Sequence, residues 1–326
     1  MRRLVLSVAL FALVTAACHE ATTDPTPVAV SDATSEAMFK KSAAKGPNAP
    51  RASAFLQEVN DRLTAAGAGF AVARAELALS PEAGPDQALI VFADDRMLRL
   101  TSRWVPGDTR RYADGANLTH LFYQDLALAN GSIDSERAID ASFETWAAAQ
   151  CGNVPLVKRT DQGVFPSAVF PGGDPFVADI VTLGFLPGFF FDLVLGEGAA
   201  DNVLGVTFTS VFGSFDSDGN FTPSDIDNNG LADTALKEVW YNDDFAWNTA
   251  GVTDIDNTDI ETVAFHENGH ALELGHFGKI AINASSGRLV VSPRAAMNAI
   301  ILGTLRSPLG TDNAAFCGNW AQWPNN

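Results

Sequence analysis

The chain has 326 residues, 47% of them apolar, and a formal net charge of -18. Acidity of that order argues against nucleic acid as a partner, because a polyanion needs a basic surface. The length leaves room for one well-buried core once the N-terminal segments are set aside.

The first element is a leader. Arg2 and Arg3 precede an apolar run from Leu4 to Val14, too short for an ordinary membrane span, and Thr15-Ala16-Ala17 follow. Residues 1–17 therefore read as an export signal. Cys18, directly after Ala17, resembles the cysteine of a bacterial lipobox, which would make it the lipidated first residue and tie the chain to a membrane surface, at the cell surface or in the periplasm. Cleavage without lipidation, giving a secreted protein, is the alternative. Residues 18–50 are rich in Ala, Thr, Pro, Ser and Lys and read as a flexible linker. Between 51 and 97, Phe55, Leu56, Val59 and Leu63 predict an amphipathic helix ending near Gly67 or Gly69. A strand over Phe70–Leu79, a turn around Pro81–Pro85 and a second apolar run at Ala88–Phe92 follow. These residues suit an accessory unit, a propeptide or an inhibitory segment equally.

Residues 98–326 form the main body. Trp104 and Val105 are placed on its first strand. Ser132 is the expected cap of a helix with Asp134 and Glu136 in its first turn, Ile139, Phe143, Trp146 and Ala147 on its buried stripe, and Gly152 at its end. Strands are expected at Val154–Val157, Asp179–Phe185, Val203–Phe212 and Glu238–Tyr241. The Phe- and Leu-rich run from Phe176 to Leu195 is interrupted by Asp179, Pro187 and Asp192, which favours loop and strand over a membrane span.

Between Gly213 and Glu261 twelve acidic residues face only Lys237. Within them, Asp225, Asp227, Asn229 and Asp233 around Gly230 resemble the start of a calcium loop, and Asp216, Asp218 and Asn220 form a poorer set. The glutamate usual at the twelfth position is replaced by Leu236, so structural Ca2+ and a solvated acidic loop both remain open. Thr258-Asp259-Ile260-Glu261 then reads as a capping box starting a helix that Ile260, Val263, Ala264 and Ala271 anchor in the core.

That helix carries His266, Glu267 and His270. Residues four apart project from one face, so both imidazoles can reach a single metal ion, with Glu267 beside it as a general base. His276 can join them only if the chain turns back, and Gly275 is the expected site of that turn. Three histidines on Zn2+ leave the fourth position to water, the arrangement of a catalytic site. The chain has five histidines, three of them within these eleven residues; His19 and His120 read as incidental. After removal of Cys18, Cys151 and Cys317 remain as a pair for one disulfide in an oxidising compartment. Gly310–Cys317 reads as a closing helix, with Trp320 and Trp323 packed as core.

The ligand spacing resembles the metzincin clan of zinc endopeptidases, pattern HExxHxxGxxH with a later methionine turn, and is most similar to its matrixin branch. Glu273 stands where the motif has glycine. The resemblance implies an α+β, zincin-like domain over 98–326, with a twisted mixed β-sheet, an active-site helix and Met297 on the methionine turn as an apolar floor under the metal. It implies hydrolysis of polypeptide substrates by a metal-activated water with Glu267 as base, substrate adding to Val203–Phe212 as an exposed antiparallel edge, and a specificity pocket around Leu289–Leu305. In that family a cysteine can also block the zinc, which gives Cys151 a rival role. A lipid-anchored module that keeps the fold but binds partners without cutting them is the alternative function.

Overall fold

The structure, a computed structural model, describes residues 49–83, 90–92, 102–112, 115–124, 134–149, 151–152, 154–254 and 256–325. The expected leader 1–17, Cys18, the linker as far as residue 48, and Ser132 lie outside them.

The fold is α+β, built on one mixed, twisted sheet. Its strands are β1 (Phe70–Leu79), β2 (Ile90–Phe92), β4 (Leu118–Phe122), β5 (Leu156–Lys158), β6 (Ile180–Leu186), β7 (Val203–Phe215) and β9 (Ala232–Asn242). They lie in the order β2-β1-β7-β9-β6-β4-β5, with β3 (Ser102–Arg103) alongside β9 and β8 (Phe221–Pro223) alongside β7. The β4, β5, β6 and β9 neighbours pair parallel, whereas β2, β1, β7 and β9 pair antiparallel. Strands covered on both faces read as nearly continuous apolar runs, and β6 is one.

Helices cover both faces. On one, α1 (Ala49–Ala65) buries Ala52, Leu56, Val59 and Leu63, joined by α3 (Gly188–Leu195) through Phe190, Phe191, Val194 and Leu195. The short α4 (Ala199–Asn202) leads from there into β7. On the other face lie α2 (Ser135–Ala147), α5 (Ile260–Ala271) and α6 (Gly310–Trp320), with Phe143, Trp146, Phe265, Phe316 and Trp320 at the centre of their contact. Two small pairs, β10 (Trp247–Asn248) with β11 (Thr258–Asp259) and β12 (Lys279–Ile282) with β13 (Leu289–Ser292), flank α5 in sequence.

Several boundaries differ from expectation. The cap of α2 is Asp134, whose carboxylate accepts the Arg137 N–H at 3.1 Å, and the helix closes at Ala148 rather than Gly152. Trp104 and Val105 are buried just beyond β3 instead of on it. The Phe-rich run continues from β6 into α3, because Pro187 starts a helix as readily as it ends a strand. No described helix is long and apolar enough to cross a membrane. The largest difference concerns β7, which is not an edge: β1 pairs with it from Phe70↔Phe212 to Leu79↔Val203. The row of peptide groups an edge would leave unpaired is satisfied by a strand more than a hundred residues earlier in the chain.

Cys151, past the end of α2, is bonded to Cys317 on α6 across 166 residues. The pairing removes Cys151 from the rival role of metal blocker. Replacing both cysteines by serine is expected to lower stability by about 2–4 kcal/mol, since a long loop is freed in the unfolded chain. Denaturant unfolding checks this; an unchanged midpoint would show that the link constrains nothing.

Candidate metal centre

α5 starts one residue later than the capping box placed it. Asp259 is the cap, accepting from the Thr262 N–H at 3.0 Å, while Glu261 is drawn outward to Arg306 at 2.9 Å. Every residue of the helix except Glu261 is buried. Its backbone carbonyls are met by indoles: Trp146 Nε1–H donates to Phe265 O at 2.9 Å, Trp104 to Ala271 O at 2.9 Å and Trp320 to Leu272 O at 2.8 Å. The Trp104 and Trp320 donors meet the C-terminal end, whose last carbonyls have no partner within the helix, while Trp146 ties down its middle.

The structure brings His266, His270 and His276 together. Their Nε2 atoms lie 3.0, 3.1 and 3.3 Å from one another. Tetrahedral zinc with Zn–N of about 2.0–2.1 Å separates its ligand atoms by about 3.3–3.4 Å, so the triangle is close to the size required. Two rings are oriented from behind: His266 Nδ1 donates to Ala296 O and His270 Nδ1 to Leu274 O, each at 2.7 Å. With the hydrogens there, the Nε2 lone pairs face inward. Burial lowers the His266 pKa to about 4 and holds His270 and His276 well below the usual histidine range, with charge repulsion among the rings adding to it. Neutral rings turning lone pairs on one another repel, and a cation between them removes the conflict. The donor set therefore fits a metal ion, and the group could hold one.

The return of His276 depends on Glu273, not Gly275. Glu273 has φ +64°, the left-handed conformation that the motif reserves for glycine, and Gly275 is not in that region. Its carboxylate explains the tolerance. Buried, it accepts from Arg74 Nη2 at 3.2 Å, Lys237 Nζ at 3.1 Å and Ser102 Oγ at 3.0 Å, and from the Thr234 hydroxyl. Met297 is buried beneath the helix, where a Cβ on Gly269 would collide with its sulfur. Asp312 of α6 fixes that turn, accepting the Ala296 and Met297 N–H groups at 2.8 and 3.1 Å.

Glu267 lies on the sheet side of the cluster. Its carboxylate accepts the Ala78 N–H at 3.1 Å and the Thr207 hydroxyl, and burial pushes its pKa up to about 8. Glu76 Oε1 stands 3.4 Å from His270 Nδ1. A pocket beside the loop that carries Met297 is lined by Val291, Arg294, Asn298, Ile301 and Leu305, from the stretch expected to shape specificity, and by Thr262 of α5. In the acidic segment, Asp225, Asp227 and Asp233 lie within 4.8 Å of one another. Asp233, however, is already paired with Arg110 at 2.6 Å, and Asp216 closes its own turn through the N–H groups of Asp218 and Asn220.

The supporting residues were not found from sequence. Arg74 and Thr207 read as ordinary strand residues, Lys237 as the lone base in an acidic stretch, and the tryptophans as packing; no local signal links them to the histidines. No protein-family model matches the chain, and no curated protein matches it.

Proposed function

We propose that the protein is a zinc-dependent endopeptidase of metzincin type, closest to the matrixin branch, cutting polypeptides at the His266, His270 and His276 centre. The observation that carries this is the convergence of three neutral imidazoles within 3.3 Å, with Glu267 next to them in the chain and buried. Zinc bound there would supply Lewis acidity toward water and toward a scissile carbonyl. Glu267 takes a proton from the water and delivers it to the departing amine nitrogen. Thr207 holds that carboxylate in place, while Ala296 and Leu274 keep two rings in the tautomer that leaves Nε2 free. Met297 supplies an apolar floor. The leader and Cys18 support an exported, lipid-anchored protein, with secretion as the alternative.

Purified protein is expected to carry one zinc per chain and to digest casein or a peptide library, with chelation abolishing digestion and added zinc restoring it. His270→Ala is expected to lose zinc by at least a factor of ten, read by elemental analysis. A second reading, a binding module that keeps the centre but does not cut, is favoured by Glu273 in the motif. Zinc at full stoichiometry with digestion no greater than that of Glu267→Ala would select it.

A further inference from the structure

With β1 laid along β7, the edge expected to receive a polypeptide is taken. Another pair of strands beside the histidines is open. Among the described residues β12 and β13 pair only with each other, so each keeps an outer edge without a strand partner. The hairpin is rooted at the metal centre: Phe277, next after His276, donates its N–H to Met297 O at 2.7 Å, and Asn298 Nδ2–H donates to Phe277 O at 2.7 Å.

Its two sides differ. The register Ile280↔Val291 and Ile282↔Leu289 puts four apolar side chains on one side. Ile280 and Leu289 pack partly against the core, Val291 lines the pocket beside the Met297 loop, and Ile282, 58% exposed, carries the strip out into water. The other side presents Lys279, Ala281, Val290 and Ser292, all exposed. Arg288, whose carbonyl accepts the Asn283 N–H across the hairpin at 2.8 Å, prolongs that side.

The charge here is opposite to that of the whole chain. From Phe277 to Thr311 the sequence has Lys279, Arg288, Arg294 and Arg306 and no Asp or Glu, in a protein of net charge -18. Arg306 is matched by Asp259 and Glu261. Lys279, Arg288 and Arg294 are exposed and have no carboxylate partner among the described residues; Arg294, at the pocket, donates only to the Leu302 and Thr304 carbonyls.

We propose that the β12–β13 hairpin receives the substrate as a third strand, and that this substrate is an acidic polypeptide in which Asp or Glu alternates with apolar residues. This rests on the peptidase function proposed above. Backbone bonds to an open edge give affinity without regard to sequence, and alternate side chains give selection. In a strand added here, every second residue lies beside the apolar strip, and the residues between them lie on the side of Lys279 and Arg288. A basic segment meets like charge on that side and is rejected.

The test uses the full zinc-loaded chain and two synthetic peptides of equal length, one alternating Val with Glu, the other Val with Lys. The Glu peptide is expected to be cut with a kcat/KM about tenfold higher, mostly through KM, and the gap to shrink as salt is raised, because the cations are exposed. Lys279→Glu combined with Arg288→Glu is expected to reverse the preference, which a misfolded chain cannot do. Equal cleavage of the two peptides by the parent overturns the proposal and leaves the peptidase function standing. So does a double variant that keeps the parent's preference or loses both peptides together. Binding is read separately with Glu267→Gln, from the anisotropy of dye-labelled peptides. If the parent cuts neither peptide while this variant binds the Glu peptide at least tenfold more tightly than the Lys peptide, the peptidase function falls and the acidic docking surface remains. If neither peptide is cut or bound, both fall.

Discussion

Glu267→Gln is expected to lower kcat/KM on a polypeptide substrate by about 10²–10⁴-fold while leaving one zinc per chain, because the substitution removes proton transfer and little else. Glutamine has the same length, its amide oxygen can accept from Ala78 N–H as Glu267 Oε1 does at 3.1 Å, and its amide nitrogen can face Thr207. Burial that raises Glu267 to about 8 also means that the neutral side chain suits the pocket, so the variant should fold at least as well as the parent. Rate and metal content measured on one preparation separate the effects. A variant within tenfold of the parent would assign the proton transfer elsewhere; one that has lost its zinc would make Glu267 part of the metal's hold instead of its chemistry.

Glu273→Ala is expected to cost about 3–5 kcal/mol, since it leaves Lys237 and Arg74 buried with less counter-charge. Their side chains are 0% and 11% exposed, so water cannot compensate fully. Glu273→Gly tests two effects in opposition. It relieves the left-handed conformation at φ +64°, worth about 1–2 kcal/mol for a residue with a Cβ, but forfeits the same carboxylate. The ion cluster is the larger effect, so the expected order of stability is parent, then glycine, then alanine. Urea unfolding of the three decides it. A glycine variant more stable than the parent would show that Glu273 is tolerated rather than required, and that the cluster contributes little.

The histidine cluster was legible because a helix repeats every 3.6 residues and histidine is rare in this chain, so His266, His270 and His276 stood out with little background. Met297 was singled out only through the family resemblance, and it lies buried against Gly269 of α5. Caps were off by a residue or two, Asp259 for Thr258 and Asp134 for the position given to Ser132, because neighbouring Ser, Thr and Asp residues compete for the same N–H groups. What sequence could not show was pairing between distant segments. β1 was read correctly as a strand over Phe70–Leu79, yet nothing local reveals that it adds to β7 and covers the edge expected there. Charged residues mislead in the same way. Lys237 was read as the lone base in an acidic stretch, and it proves to be a core residue whose partner, Glu273, had been noticed only as a departure from a motif.

Three of the chain's six tryptophans donate to backbone oxygens in or just beyond α5. Their emission is consequently a built-in gauge of whether that helix keeps its seat. A change at the histidines that leaves the helix seated should leave the spectrum blue, whereas loosening the helix should shift the maximum toward longer wavelength before the sheet on the opposite side gives way.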